Sequence, residues 1–508
     1  MAASGGSNQS IEVGFIGGSN IQRSSQFDSQ QAINCYPLYD SVKQQQVQYP
    51  YAGSQEILTF STANPAAVGR KRGALAVGPI SVWVIGDEFF VMTTSFSPSS
   101  VGTIGSNTGP VSMCSGGDYI LIVDGTGGWT YKISTGDFDP VTDAAFPVSP
   151  TTCTEQQGYF LVNNDGTQEL YQSPPYDPTV WNVFNAVVVN FRSCTSAFPL
   201  LSLRSCNGRI FAFTSGFTQV YANAGKVGFT FRPDQNLIFG YGALNDQSTV
   251  QSVGGNEGKE QPEFIIFISV TNDGTKKVMM TSGNPPRVIS TPSIDYRINQ
   301  LNNPDNAEAF IWTENGQTFW VCSWTIDDLT IVYNMTSGVW FDIQNGNMHR
   351  YFATAFCFFN NKALALCYND NKLYELTESL FTERGDPRPL IRITPEIKAP
   401  QFRNIVGKIL DIYFQQGDAP SGNLFPNAPF YVYGAEPEVF LYISLDGGRT
   451  FQEPIRGRLA RIGVYNFSTR FTSLGTYHSW TFKLIIRAPV PVYITGSQFQ
   501  IDIVEATR

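Results

Sequence analysis

Five stretches of the chain follow one plan: a turn residue, an apolar strand, a polar turn, then a second strand ending in tyrosine. Gly117-Asp-Tyr-Ile-Leu-Ile-Val123 leads through Asp124-Gly125 to Tyr131, and Gly158-Tyr-Phe-Leu-Val162 leads through Asn164-Asp165-Gly166 to Tyr171. Gly208-Arg-Ile-Phe-Ala-Phe213 leads through Ser215-Gly216 to Tyr221, Gly316-Gln-Thr-Phe-Trp-Val321 through Asp327-Asp328 to Tyr333, and Asn361-Lys-Ala-Leu-Ala-Leu366 through Asn369-Asp370-Asn371 to Tyr374. The offsets from turn residue to tyrosine are 14, 13, 13, 17 and 13. Weaker copies begin at Gly86 and Glu263, the latter with Asp273-Gly274 as its turn. Unit starts recur every 30 to 55 residues or so, the period range of propeller blades. One four-stranded blade cannot cover its own faces. Stacking blades around an axis buries both faces and leaves only short edges. About seven units between residues 64 and 385 therefore predict a β-propeller, against a plain sandwich of hairpins.

The flanks read differently. Thr382-Glu-Arg-Gly-Asp-Pro-Arg-Pro389 is a polar, proline-rich break. Beyond it, Val439–Ser444, Phe467–Phe471, Trp480–Ile486 and Val492–Ile494 alternate more cleanly and carry more arginine. They predict a C-terminal β-sandwich-like domain over 386–508. Residues 1–63 carry few strand signals and predict an extended N-terminal arm that packs away from the blades. The opening MAASGGSNQS has neither a basic region nor an apolar core, so it reads as a flexible leader and not a secretory signal. The expected fold class is all-β.

Several function classes are disfavoured by composition. The formal net charge is −9, which argues against a surface that wraps nucleic acid, although an acidic wall lets DNA slide past without trapping it. No apolar run reaches membrane-spanning length. Eight cysteines stand at 35, 114, 153, 194, 206, 322, 357 and 367 with no C-x-x-C pair, and they read as buried thiols. The two histidines, His349 and His478, have no companion at ligand spacing, so no metal site is expected.

One motif suggests an enzyme. Ser444-Leu-Asp-Gly-Gly-Arg-Thr-Phe451 fits S-x-D-x-G-x-T-[FW] and resembles the Asp-box of sialidases, where it lies on the outer rim away from the sugar. Asp446 followed by Gly447-Gly448 is also a well-made hairpin turn, since the carboxylate bonds amides ahead of it and glycine takes positive φ without a clash. The motif occurs once, outside the repeats, and no arginine cluster accompanies it. Asp327-Asp328 reads as a solvated turn. Gly240-Tyr-Gly242 and Gly254-Gly255 lack a following helix to bind phosphate, and the Asp273 turn lacks the EF-hand pattern. No catalytic, cofactor-binding or metal-ligating residue is assigned, and neither enzymatic activity nor a cofactor is expected.

The ends carry a resemblance. Ser24–Asn34 runs into Cys35-Tyr36-Pro37, and Arg72-Gly73-Ala74 leads into Val82-Trp-Val-Ile-Gly-Asp-Glu-Phe-Phe90. Phe440–Phe451 forms an "L-x-x-S-x-D-G-x-x-[YF]" segment, and Trp480–Arg487 precedes Pro491-Val-Tyr-Ile-Thr-Gly496. In this order the segments resemble the tail hub, or tail nozzle, family of short-tailed bacteriophages (podoviruses), also called packaged-DNA stabilisation proteins. Thr481 stands where that family often has glycine, and Arg487-Ala-Pro489 replaces its usual link.

The resemblance implies a structural virion protein of the short tail, assembled in the host cytoplasm into a ring, usually a homohexamer. Such a ring lies below the portal-adaptor ring and extends the DNA channel. It retains packaged DNA with a needle or plug, contacts tail spikes or fibres, lets viral DNA pass transiently and takes part in DNA ejection. The alternative is a propeller glycosidase or glycan-binding tail module. A peptide-binding host-cell scaffold leaves the end motifs unexplained.

Overall fold

The repeating unit is the central hairpin of a four-stranded blade. The computed structural model describes residues 9–23, 29–40, 45–61, 71–181, 187–188, 198–226, 228–252, 263–271, 273–398, 403–415, 437–460 and 464–504. Six antiparallel sheets follow one another at 71–103, 112–140, 153–188, 200–239, 250–288 and 307–342, and these are blades one to six. Blade seven has three strands from 353–377 and takes its fourth, Gly53–Thr59, from near the N-terminus. The first strand of each blade touches the first strands of both neighbours, blade seven against blade one included, so the ring is closed around an axis lined by first strands.

The turns explain the recurring glycines. Gly117, Gly158, Gly208 and Gly316 join the first and second strands of their blades with φ between +59° and +86°. Gln157, Asn207 and Asn315 before them are also left-handed. Two successive positive-φ residues match the right-handed twist of the strands they connect. The repeated tyrosines all lie on third strands, where Tyr131 faces Ile120, Tyr171 faces Val162 and Tyr221 faces Ile210. The weak copy at Gly86 is one strand late, because Gly86 lies between the second and third strands and Gly78 takes the equivalent turn.

At Gly158 an added Cβ would lie 2.7 Å from the Tyr176 ring at φ +86°. Gly158→Ala is expected to cost about 1–2 kcal/mol from the left-handed backbone. The denaturation midpoint should fall by the same amount in a Tyr176→Ala background if strain, and not the ring, is the cause.

Each seam between blades is an apolar cluster. Phe213 and Phe267 meet at 4.9 Å between blades four and five. The helix Pro292–Asn299 is capped by Thr291 and puts Ile294 and Ile298, one turn apart, into the seam of blades five and six with Trp320, Trp324 and Trp340.

The remaining strands form a two-sheet sandwich. One sheet runs in the order Cys35–Asp40, Gln45–Pro50, Tyr493–Val504, Asn404–Gln415, Phe467–Tyr477, with Gln9–Ile11 also on Tyr493–Val504. The other runs Gln31–Ile33, Leu390–Ile393, Ser479–Ile486, Glu438–Ser444, Ile455–Arg458. Their inner faces bury Leu410, Ile412, Trp480, Phe482 and Phe499. Gln31–Ile33 also pairs, in parallel, with the outer strand Val339–Asp342 of blade six, so the second sheet continues that blade. The segment expected to be an arm thus supplies five strands, four to the sandwich and one to blade seven. Its strands are short and polar on their outward faces, which hid them. Residues 1–8 and 24–28, and with them part of the expected leader and of the end motif, lie outside the described residues.

Candidate functional site at the propeller–sandwich junction

Of the nine charged side chains buried among the described residues, four, Asp342, Glu383, Arg388 and Arg392, lie where propeller and sandwich join. Arg392, on Leu390–Ile393, is fully buried. Its guanidinium donates to the carbonyls of Gly14, Phe15, Gly18, Gln31 and Ile393 at 2.9–3.1 Å and to Gln30 Oε1. A planar fork with five N–H groups suits this task, because the curled N-terminal segment leaves carbonyls pointing inward that need donors. Beside it, buried Asp342 on the outer strand of blade six accepts from Arg297 Nη1 at 2.7 Å, Ser19 Oγ at 3.1 Å and Gln31 Nε2 at 2.9 Å. Helix, blade six and N-terminal segment meet on one carboxylate.

A second group lies against blade seven. Arg388 donates to the Tyr51 carbonyl and stands 5.8 Å from the Tyr51 ring, and Tyr51 Oη accepts from Trp312 Nε1 at 2.7 Å. A cavity of about 20 Å³ lined by Asn34, Tyr51, Arg388 and Leu390 lies here, enough for one water molecule. Burial pushes the Glu383 carboxyl up to about 7, opposed by Arg388 and Arg384. Among the described residues Glu383 Oε2, Arg388 Nη1 and the Tyr351 hydroxyl have no hydrogen-bond partner.

Glu383 therefore makes stability depend on pH. Its carboxyl in the fold lies above its ordinary value of 4.5, so its contribution is complete below about pH 4.5 and is lost as pH rises through about 7. The loss approaches about 3 kcal/mol at 1.36 kcal/mol per unit. Glu383→Gln is expected to match the parent chain at pH 4.5 and exceed its stability by about that amount at pH 8.5, as read by urea denaturation at the two pH values.

The motifs singled out in the sequence are dispersed. In the Asp-box-like segment, Asp446 accepts from the Arg449 and Thr450 amides at 2.9 Å and from Thr450 Oγ1 at 2.6 Å, while Ser444 Oγ accepts from the Gly448 amide at 2.8 Å. These bonds hold the Asp446 carboxyl well below the usual carboxylate range, and Gly447 and Gly448 take φ +74° and +87°. Asp327 accepts from the Asn302 and Asn303 amides, whereas Asp328 meets His349 Nδ1 at 2.6 Å, so the adjacent carboxylates have separate partners. Asp273 ties the hairpin tip between Thr271 and Thr275, which brings its carboxyl down to about 2. Gly242 allows a close approach, since a Cβ there would lie 2.2 Å from the Thr214 carbonyl oxygen. His478 is exposed between two sandwich strands. Gly254, Gly255 and Cys194 lie outside the described residues; the other seven cysteines are buried free thiols. Among the described residues no three of His, Cys, Asp and Glu gather as a metal site, and no helix is long and apolar enough to cross a membrane. The buried arginines of the junction escaped sequence reading, because one arginine in a strand carries no sign of burial.

No curated protein matches the sequence. In three dimensions the chain is similar to the N-terminal domain of Nup159, at 10% identity and TM-score 0.38 over 65% of this chain and 94% of that one. It is similar to a chain of the S. cerevisiae complex of Dbp5 with Nup159 and Gle1, at 9% identity and TM-score 0.35 over 65% and 95%. It is also similar to the computationally designed Ika8 protein, at 13% identity and TM-score 0.35 over 63% and 99%. Likenesses this distant carry no weight for function. The informative match is the family model described as Bacteriophage P22 Gp10, beta-propeller, which spans residues 11–380. That span takes in the closing strand, all seven blades and most of the N-terminal strands of the sandwich. The chain belongs to this bacteriophage stabilisation family and is a structural phage tail protein with a β-propeller.

Proposed function

We propose that this protein is the tail nozzle of a short-tailed phage: a ring, six copies in the family's usual form, seated below the portal-adaptor ring. There it extends the DNA channel, helps to retain the packaged genome with a needle or plug, carries spikes or fibres and takes part in ejection. The observation that carries the reading is the family match over residues 11–380. Three physical features support it. The propeller axis is bounded by seven first strands whose neighbours come within 8 Å between Cα atoms. Seven strands at that spacing leave an opening of about 18 Å between opposite Cα atoms, which inward side chains narrow below the breadth of a duplex whose grooves are each about 8 Å deep. DNA must then run between copies and not through one. The net charge of −9 suits a passage that lets phosphates slide. The sheet shared by blade six and the sandwich makes each copy a stiff part, as a pressurised conduit needs.

The test is gold-labelled antibody against this chain, imaged on virions by electron microscopy. Label at the distal end of the short tail supports the nozzle. Label on lateral spikes overturns it in favour of a glycan-binding or glycan-cleaving module, to be assayed for hydrolysis, and absence of label from all particles removes the virion assignment.

A further inference from the structure

The charge of the chain is divided between its two ends. Residues 104–199, which contain blades two and three, carry nine acidic and two basic side chains. Residues 437–487, which contain the last three strands of the sandwich's second sheet and the edge strand Phe467–Tyr477 of its first, carry seven basic and three acidic ones, Arg470 among them pairing with Asp411.

Topology places these regions at opposite poles. The sandwich extends the sheet of blade six, and in a ring of seven the blades farthest from the sixth are the second and third. From the outer strand of blade six the second sheet takes five steps to its last strand, Ile455–Arg458, about 24 Å at the usual strand spacing of about 4.8 Å. Arg456 on that edge strand is 69% exposed although one of its nitrogens pairs with Glu438 at 2.7 Å, and Arg449 in the neighbouring turn is exposed. At the other pole the outer edge of blade two is Phe138–Pro140, with Asp137 and Asp139 exposed beside Pro140. At the edge strands Phe138–Pro140 and Ile455–Arg458 no further strand pairs among the described residues, and both ends carry exposed apolar side chains: Val148, Tyr176 and Val180 at the acidic end, Val464 and Tyr465 at the basic end.

We infer that neighbouring copies of this chain join head to tail, the basic sandwich edge of one against the acidic edge of blades two and three of the next. The inference rests on the ring reading above and deepens it by naming the contact. A surface that fits a different surface of an identical partner is heterologous, and a heterologous contact closes a ring when its rotation closes. Opposite charge at opposite poles favours this register. It also disfavours basic-to-basic and acidic-to-acidic pairing, which would bring like charges together.

The experiment uses the full chain added to particles made without it, with bound copies per particle counted by quantitative mass spectrometry and rings imaged. Arg449→Glu with Arg456→Glu gives those two edge positions the sign of Asp137 and Asp139 on the facing edge; Asp137→Lys with Asp139→Lys gives the blade-two edge the sign of Arg449 and Arg456. Each double variant alone is expected to assemble at least tenfold less than the parent, with a thermal midpoint lowered by no more than the small worth of an exposed ion pair such as Arg456–Glu438. An equimolar mixture of the two is expected to restore rings, because each then offers the pole the other lacks. Misfolded chains cannot rescue one another in this way. Rings formed by either double variant at the parent's level, or a mixture no better than its components, overturn the head-to-tail contact and leave the ring reading intact. A parent chain that binds particles without ever forming a ring overturns the ring reading and this inference with it.

Discussion

Replacing Arg392 by alanine is expected to destabilise the chain by about 3–5 kcal/mol, the usual cost of breaking a buried charged network by removing one partner. The reason is the acceptor count. Five main-chain carbonyls and the Gln30 amide oxygen converge on one guanidinium, and each buried acceptor left unmade costs on the order of 1–3 kcal/mol unless water reaches it. Arg392→Lys should recover only part of the loss, since an ammonium offers three donors without the planar fork. Limited proteolysis identifies the mechanism. Cleavage should appear first between Gly14 and Gln31, because that segment is what the arginine holds, and the blades should resist until higher protease concentrations. Unchanged protection there would assign the carbonyls to other donors.

Much of the propeller was legible because a blade imposes the same demands each time. A left-handed turn calls for glycine or asparagine, as at Gly158, Gly208 and Asn361, and a third strand admits tyrosine at an offset of 13 or 14 in four of the five units. Local demands of this kind leave local marks. The closing strand leaves none. Gly53–Thr59 is half exposed and reads GSQEILT, and its partner Lys372–Thr377 is more than 300 residues away, so nothing in its own composition announces the pairing. The same holds for Gln31–Ile33, three residues that join blade six to the sandwich. The junction was invisible for a further reason. Arg388, Arg392 and Glu383 are charged residues of ordinary appearance, and only the fold shows that the carbonyls and rings around them exclude water.

That distant closure makes the pairing of Gly53–Thr59 with Lys372–Thr377, beside the seam with blade one, the place where the ring should open first. Phe60 follows the closing strand directly and is 2% exposed, with Phe90 at 5.2 Å edge-on and Trp83 at 6.1 Å. It shares a cluster with Leu364, Leu366 and Leu373, so one side chain touches the first blade, the last blade and the strand that joins the N-terminus to both. Phe60→Ala should cost about 3–5 kcal/mol, as large-to-small changes at buried phenylalanines do. The distribution of the effect is more telling than its size. Each blade runs on in sequence to the next, and blade seven's borrowed strand Gly53–Thr59 leads into blade one; the join made by pairing alone lies inside blade seven, between Gly53–Thr59 and Lys372–Thr377. Hydrogen exchange in Phe60→Ala should therefore accelerate in strands 53–59, 71–77 and 372–377 and stay near the parent's rate in blades three and four. Phe213→Ala, placed in the seam of blades four and five, removes a ring of equal size from a covalently continuous contact. It should cost a similar amount without freeing 53–59. Equal acceleration around the whole ring in Phe60→Ala would mean that the propeller opens as one cooperative unit and that the borrowed strand is no weaker than the rest.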